Sequence, residues 1–151
     1  MKLGIPIDVK VALRHFDFSR QHAIRDVYDA LVELITNSDD SYHRLYKKQL
    51  RSEDGGSILI EICKQRKRES SLIVIYDKAE GMTLETMLDR LGDVGTLCSE
   101  EGDRGFMGRG AKDCTVLGRM IVESIKDEKY YKCELTTKPQ FIPWEDGRSI
   151  N

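Results

Sequence analysis

The chain has 151 residues, 40% of them apolar and 33% charged, which is enough material for one domain with a core of its own. Its 24 basic and 26 acidic side chains nearly cancel to a formal charge of -2, which excludes a global electrostatic pull toward nucleic acid or a membrane surface. Four widely spaced cysteines, Cys63, Cys98, Cys114 and Cys133, form no C-x-x-C pair, so no zinc site or disulfide framework is indicated, and reduced thiols in a cytoplasmic protein are expected.

The opening stretch MKLGIPIDVKVALRHF is interrupted by Asp8, Lys10 and Arg14 and lacks the continuous apolar core of a signal peptide. No later apolar run approaches the ~20 residues of a membrane span, so no membrane partner is expected.

From Ser19 to about Leu50 there is no glycine or proline, and Ile24, Val27, Leu31, Leu34 and Ile35 recur at helical spacing, which predicts a long amphipathic helix with Ser19 as its N-cap. Ser52 to Gly56 break it. SILIEICKQ and SLIVIYD then flank the charged turn Arg66 to Glu69 and predict a β-hairpin whose second strand, buried, ends at Asp77.

Thr83 is placed to cap a short helix through Leu91, and the glycine- and acid-rich piece from Gly92 to Gly105 reads as a mobile loop. A further helix is predicted near Gly108. GRMIVESI and YYKCELTT flank the turn Lys126 to Lys129 as a second hairpin, after which Pro139 and Pro143 are expected to end regular structure. This order predicts an α+β fold, a two-layer sandwich with helices packed on one face of a mainly antiparallel sheet, as a single domain over residues 1–151.

Three clusters bear on chemistry. Glu33, Asn37 and Asp40 are spaced i, i+4, i+7 and share one stripe of the long helix, with Asp26 and Asp29 on the same side. From spacing alone a solvated helix face is the simpler explanation of such a stripe. Read chemically, the Asn37 amide oxygen suits Mg²⁺, a hard cation usually shared with phosphates and water, and Glu33 one turn earlier suits a general base.

The second cluster is Asp77-Lys78-Ala79-Glu80-Gly81-Met82, directly after a strand. It is an ordinary strand-ending turn, or a site where Asp77 accepts from an exocyclic amine such as that of adenine while Gly81 allows close approach to a flat base. The third is Gly105-Phe106-Met107-Gly108-Arg109-Gly110-Ala111-Lys112, a glycine run leading into a helix. It reads as a plain loop or as a phosphate nest with Lys112 supplying positive charge. It departs from the P-loop pattern, because Asp113 stands where Ser or Thr would be needed.

Taken in order, VELITNSDDSY, DKAEGM and GFMGRGAKD resemble the three nucleotide-site motifs of the gyrase, heat-shock chaperone, histidine kinase and MutL (GHKL, or Bergerat-fold) superfamily, over roughly Ala23 to Lys112. The resemblance implies an ATPase that takes ATP and Mg²⁺. Glu33 would be the catalytic base and Asn37 the Mg²⁺ ligand, with Asp77 as adenine-amine acceptor. Asp40, Gly81 and Met82 would line the nucleotide, Gly105, Gly108 and Gly110 would form the phosphate loop, and Lys112 would contact phosphate.

The glutamate four residues before the asparagine is similar to the hydrolytic branches rather than to the histidine kinases. Those branches continue into a transducer domain, so this chain is expected to be the N-terminal part of a longer protein. A client protein or nucleic acid would be held by the further domains, and ATP would drive dimerisation as in several relatives. Thr136 or Thr137 is the candidate for a late-strand threonine found in some members. Ala79 replaces the first glycine of the usual D-x-G-x-G, and a positive φ there would cost alanine ~1 kcal/mol. A nucleotide-gated interaction module without turnover, and a scaffold without nucleotide, are the alternatives.

Overall fold

The computed structural model describes residues 3–8, 20–50, 55–64, 70–92, 110–138 and 140–150. Six strands and three α-helices are described: β1 (Ile7–Asp8), α1 (Val27–Lys47), β2 (Leu59–Cys63), β3 (Leu72–Tyr76), α2 (Leu84–Leu91), α3 (Gly110–Asp113) followed by a 3-10 turn at Cys114–Val116, β4 (Met120–Lys126), β5 (Lys129–Leu135) and β6 (Gln140–Ser149). The fold is mixed α/β with two antiparallel sheets, a four-stranded one in the order β1-β6-β5-β4 and the hairpin β2-β3. Among the described residues, no helix is long and apolar enough to cross a membrane.

The long helix starts later than its spacing predicts. Residues 20–23 form a separate helical turn, and α1 begins at Val27 because the Asp26 carboxylate accepts from the Tyr28 and Asp29 amides at 2.8 and 3.1 Å. The expected cap, Ser19, lies outside the described residues. The break takes Ile24 out of helical phase with Val27, so Ile24 is buried while Val27 is exposed. Asp26, expected on the acidic face, is the cap itself.

α2 follows its local signals. The Thr83 hydroxyl accepts from the Thr86 amide at 3.2 Å, and Leu84, Met87 and Leu91 turn one apolar face inward. That face packs on Tyr131, Cys133 and Leu135 of β5 and Phe141 of β6, with Met82, Ala111, Met120 and Val122 around it. At roughly 1.5–3 kcal/mol per fully buried large apolar side chain, this cluster is the main stabilising mass of the described fold. A second, smaller cluster joins Ile24 and Ala30 to Cys114, with Leu34, Val116 and Met120 against it. Met120 belongs to both and so ties α1 to the sheet.

β4 and β5 are joined by a two-residue turn in which Asp127 and Glu128 both have positive φ, the geometry that matches strand twist. Regular structure does not stop at the prolines, contrary to expectation. β6 runs through Pro143, whose carbonyl accepts from the Gly4 amide. A strand residue's nitrogen and carbonyl point to the same side, so the missing N–H falls on the Gly4 side and the β5 side is untouched. Pro139 lies outside the described residues.

The strand before Asp77 is also less buried than predicted. Leu72 and Tyr76 are exposed and only the middle of β3 is half-buried, while β2 is exposed throughout. The hairpin is a sheet of its own, so each strand has one neighbour within it. The turn Arg66 to Glu69 and the loop expected between Gly92 and Gly105 lie in or run into undescribed residues.

Candidate functional site

The loop from Asp77 to Met82 is fastened between α1 and β4. Asp77 ends the β3 path, and its carboxylate is engaged through both oxygens: Ser38 Oγ of α1 donates to Oδ2 at 2.6 Å, and the Ala79 amide donates to Oδ1 at 3.1 Å. The second bond is an Asx turn, the local reason for aspartate here. Asp77 is exposed, and each oxygen retains a further lone pair, so the carboxylate can still accept from a ligand.

α1 supplies the other ties. The Tyr42 hydroxyl accepts from the Lys78 amide at 2.8 Å and donates to the Ser57 carbonyl at 2.7 Å. Ser41 Oγ accepts from the Glu80 amide at 3.3 Å. Arg44 Nε donates to Glu80 Oε2 at 2.9 Å, and Lys48 Nζ pairs with Oε1. Burial pushes the Glu80 carboxyl up, but the hydrogen bonds from Lys48 and Arg44 outweigh it and leave it below its ordinary value.

On the far side, Gly81 has φ +65° and packs so closely on the Ile125 carbonyl that a Cβ would overlap it. The Met82 amide donates to Ser124 Oγ at 2.7 Å. Glycine is therefore required at 81 on both conformational and steric grounds. Ala79 is not among the described residues at positive φ, so the backbone there carries no left-handed cost for alanine.

The stripe read from the helix spacing divides three ways. Glu33 is half-buried, Asn37 exposed, and Asp40 buried and engaged within the fold, so Asp40 is not on a solvated face. Glu33 faces the start of α3, where a Cβ on Gly110 would overlap its carboxylate. Burial, then the charges of Asp113 and Asp29, push the Glu33 carboxyl above its ordinary 4.5. Lys112 is buried, at 3% exposure, and engaged within the fold. Gly105 and Gly108 lie outside the described residues.

Around α3, Cys114 Sγ lies 3.2 Å from the Gly110 carbonyl and 3.8 Å from that of Ala30. Burial foremost, with the nearby Glu33 and Asp113, pushes its thiol up to about 12, so it is a neutral packing group. Arg20 is buried and donates to Thr115 Oγ1 at 2.9 Å and, through both terminal nitrogens, to the Thr137 carbonyl at 3.2 Å. It ties the segment before α1 to the turn after α3 and to the end of β5.

The structure thus brings Asp77 to Ser38 and Gly110 to Glu33, placing both on α1, with Asn37 on the turn between. Ser38, Ser41, Tyr42, Arg44 and Glu80 were not predicted from sequence. Ser38 and Tyr42 share a buried stripe with Leu45 at i, i+4, i+7, but the polar groups of the first two hide it from a reading of apolar periodicity. Among the described residues, no group of three or more His, Cys, Asp or Glu side chains is arranged to hold a metal ion. Asn37, read from the sequence as a Mg²⁺ ligand, has an exposed amide that could take one place in the shell of such an ion. No family model matches the chain, and no curated protein matches it in sequence.

Proposed function

We propose that the chain is a Bergerat-type ATPase domain of the GHKL class, an α/β sandwich that binds Mg-ATP against α1 and hydrolyses it. The observation that carries this reading is the convergence on one helix of two segments far apart in sequence, Asp77 held by Ser38 and Gly110 set against Glu33, with Asn37 of that helix exposed between the two contacts.

In this reading the Asp77 carboxylate, already oriented by Ser38 and Ala79, accepts from the adenine amine. Gly81 and Met82, locked to β4, border the base. Mg²⁺ would be held by the Asn37 amide and would supply charge neutralisation to the phosphates. The glycine run Gly105, Gly108 and Gly110, with Lys112, forms the phosphate end. Glu33 takes the proton from the attacking water, and its raised pKa makes it a stronger proton acceptor than an ordinary glutamate while leaving it ionisable. Catalysis is then mainly positional and electrostatic. Turnover would drive a switch through dimerisation, read out by a client protein or nucleic acid.

Calorimetry of Mg-ATP binding, with phosphate release followed on the same samples, tests the reading. Wild type should bind and release phosphate, Asp77→Asn should not bind, and Glu33→Ala should bind without release. Binding without release in wild type would leave a nucleotide-gated interaction module, and absence of binding at millimolar nucleotide would leave a scaffold.

A further inference from the structure

We infer that the Arg44–Glu80 ion pair is a positioning device for Asp77, setting the nucleotide affinity and base preference of the site; this rests on the nucleotide-binding reading above. Glu80 is three residues beyond Asp77 on the same short loop, and both of its oxygens are taken by cations of one helix, Arg44 at 2.9 Å and Lys48. The side chains of Arg44 and Glu80 are 8% and 12% exposed, whereas Lys48 is half-exposed, so Arg44 makes the dry contact.

A desolvated charge pair gains little net stability over an apolar substitute, but it strongly penalises every geometry in which the two charges part. The loop's other ties to α1 are hydroxyls of Ser38, Ser41 and Tyr42, each satisfiable by water if the loop shifts. The pair therefore fixes where the loop sits, and the hydroxyls follow.

Two consequences reach Asp77. Its carboxylate is held at one spacing from α1, the helix that carries Asn37 and Glu33. Glu80, neutralised by Arg44, also adds no second negative charge to a loop that would border a polyanionic ligand. Both effects favour a ligand that donates to Asp77. Adenine presents an amine at that edge, and guanine presents a carbonyl oxygen that Asp77 would repel.

The test measures Mg-ATP and Mg-GTP dissociation constants by calorimetry for wild type, Asp77→Asn, Glu80→Gln, Arg44→Met and the Arg44→Met/Glu80→Gln double variant, with urea unfolding of each. Each single variant should weaken ATP binding about tenfold or more and narrow the ATP over GTP preference, and the double variant should be no worse than the weaker single. If the variants lose stability while the folded protein keeps wild-type affinity and preference, the pair is structural only and the inference falls. If Glu80→Gln does not fold, Glu80→Asp carries the test: it keeps the charge but draws the loop in by a methylene, and unchanged affinity there overturns the inference as well. Wild type that fails to bind ATP removes both readings. Wild type that binds, with Asp77→Asn not binding and Glu80→Gln behaving as wild type, removes this one alone.

Discussion

Gly110 stands so close to Glu33 that a single added carbon on its Cα would overlap the glutamate's carboxylate. The glycine run and the acidic stripe, 77 residues apart in sequence, thus meet without an intervening side chain. Gly110→Ala should destabilise the protein by about 1–3 kcal/mol through overpacking. Adding Glu33→Ala should recover most of that loss in urea unfolding, because it removes the atoms that the new methyl group meets. Full additivity of the two changes would show that the contact is not the cause.

Glu33 itself should lower stability at neutral pH. Its folded-state pKa lies above the ordinary 4.5, so the folded protein holds this proton more tightly than the unfolded chain. Its contribution is fully present below pH 4.5 and is lost as pH rises through the raised value. Glu33→Gln should therefore raise Tm at pH 7 but not at pH 4, measured by thermal scans at both. The rise is a few degrees at most, since 1 kcal/mol moves Tm by roughly 2–4 °C in a domain of this size.

Glu80 has the opposite sign. Its pKa is lowered, so its stabilising contribution is present above the ordinary 4.5 and disappears as pH falls through the lowered value. Glu80→Gln should cost about 1–3 kcal/mol at pH 7, below the range for a fully buried pair because Lys48 and part of Glu80 are solvated. The gap between wild type and variant in urea unfolding should close on acidification below pH 4.

Gly81 and Ala79 should respond in contrary ways to the exchange of glycine and alanine. Gly81→Ala meets both the left-handed backbone, worth roughly 1–2 kcal/mol, and the Ile125 carbonyl, and should destabilise by more than the backbone term alone. Ala79→Gly, at a position without positive φ, should destabilise by about 0.4–1 kcal/mol through the looser unfolded chain. Chemical denaturation of the two variants checks both signs.

Much of the fold is written locally. Thr83 and the spacing of Leu84, Met87 and Leu91 specify α2, and the Lys126 to Lys129 turn specifies the β4-β5 hairpin, because cap, period and turn chemistry each act within a few residues. The α1 start was misplaced because the break at Asp26 contains no glycine or proline, only a carboxylate that captures two amides. Pro143 misled for a related reason, since a missing N–H matters only on the side where a neighbour needs it.

The site was legible as residue types in order, not as contacts. Asp77 and Gly81 stand out by composition, but Ser38, Ser41, Tyr42 and Arg44 look like a wetted helix surface until the loop 36 to 39 residues downstream covers them. Burial of a polar helix face depends on complementary groups elsewhere in the chain, and no periodicity within the helix reports it.

The pairing of β1 with β6 has a consequence for the order in which the chain can be finished. Ile7 is matched with Phe141, so 134 residues of synthesis separate the two partners. At translation speeds of about 5–20 residues per second, β1 emerges roughly 7–27 s before the strand it pairs with exists. The four-stranded sheet closes only after its last strand has left the ribosome, whereas α1, complete by Lys47, has its own cap and can form while the rest is still being made.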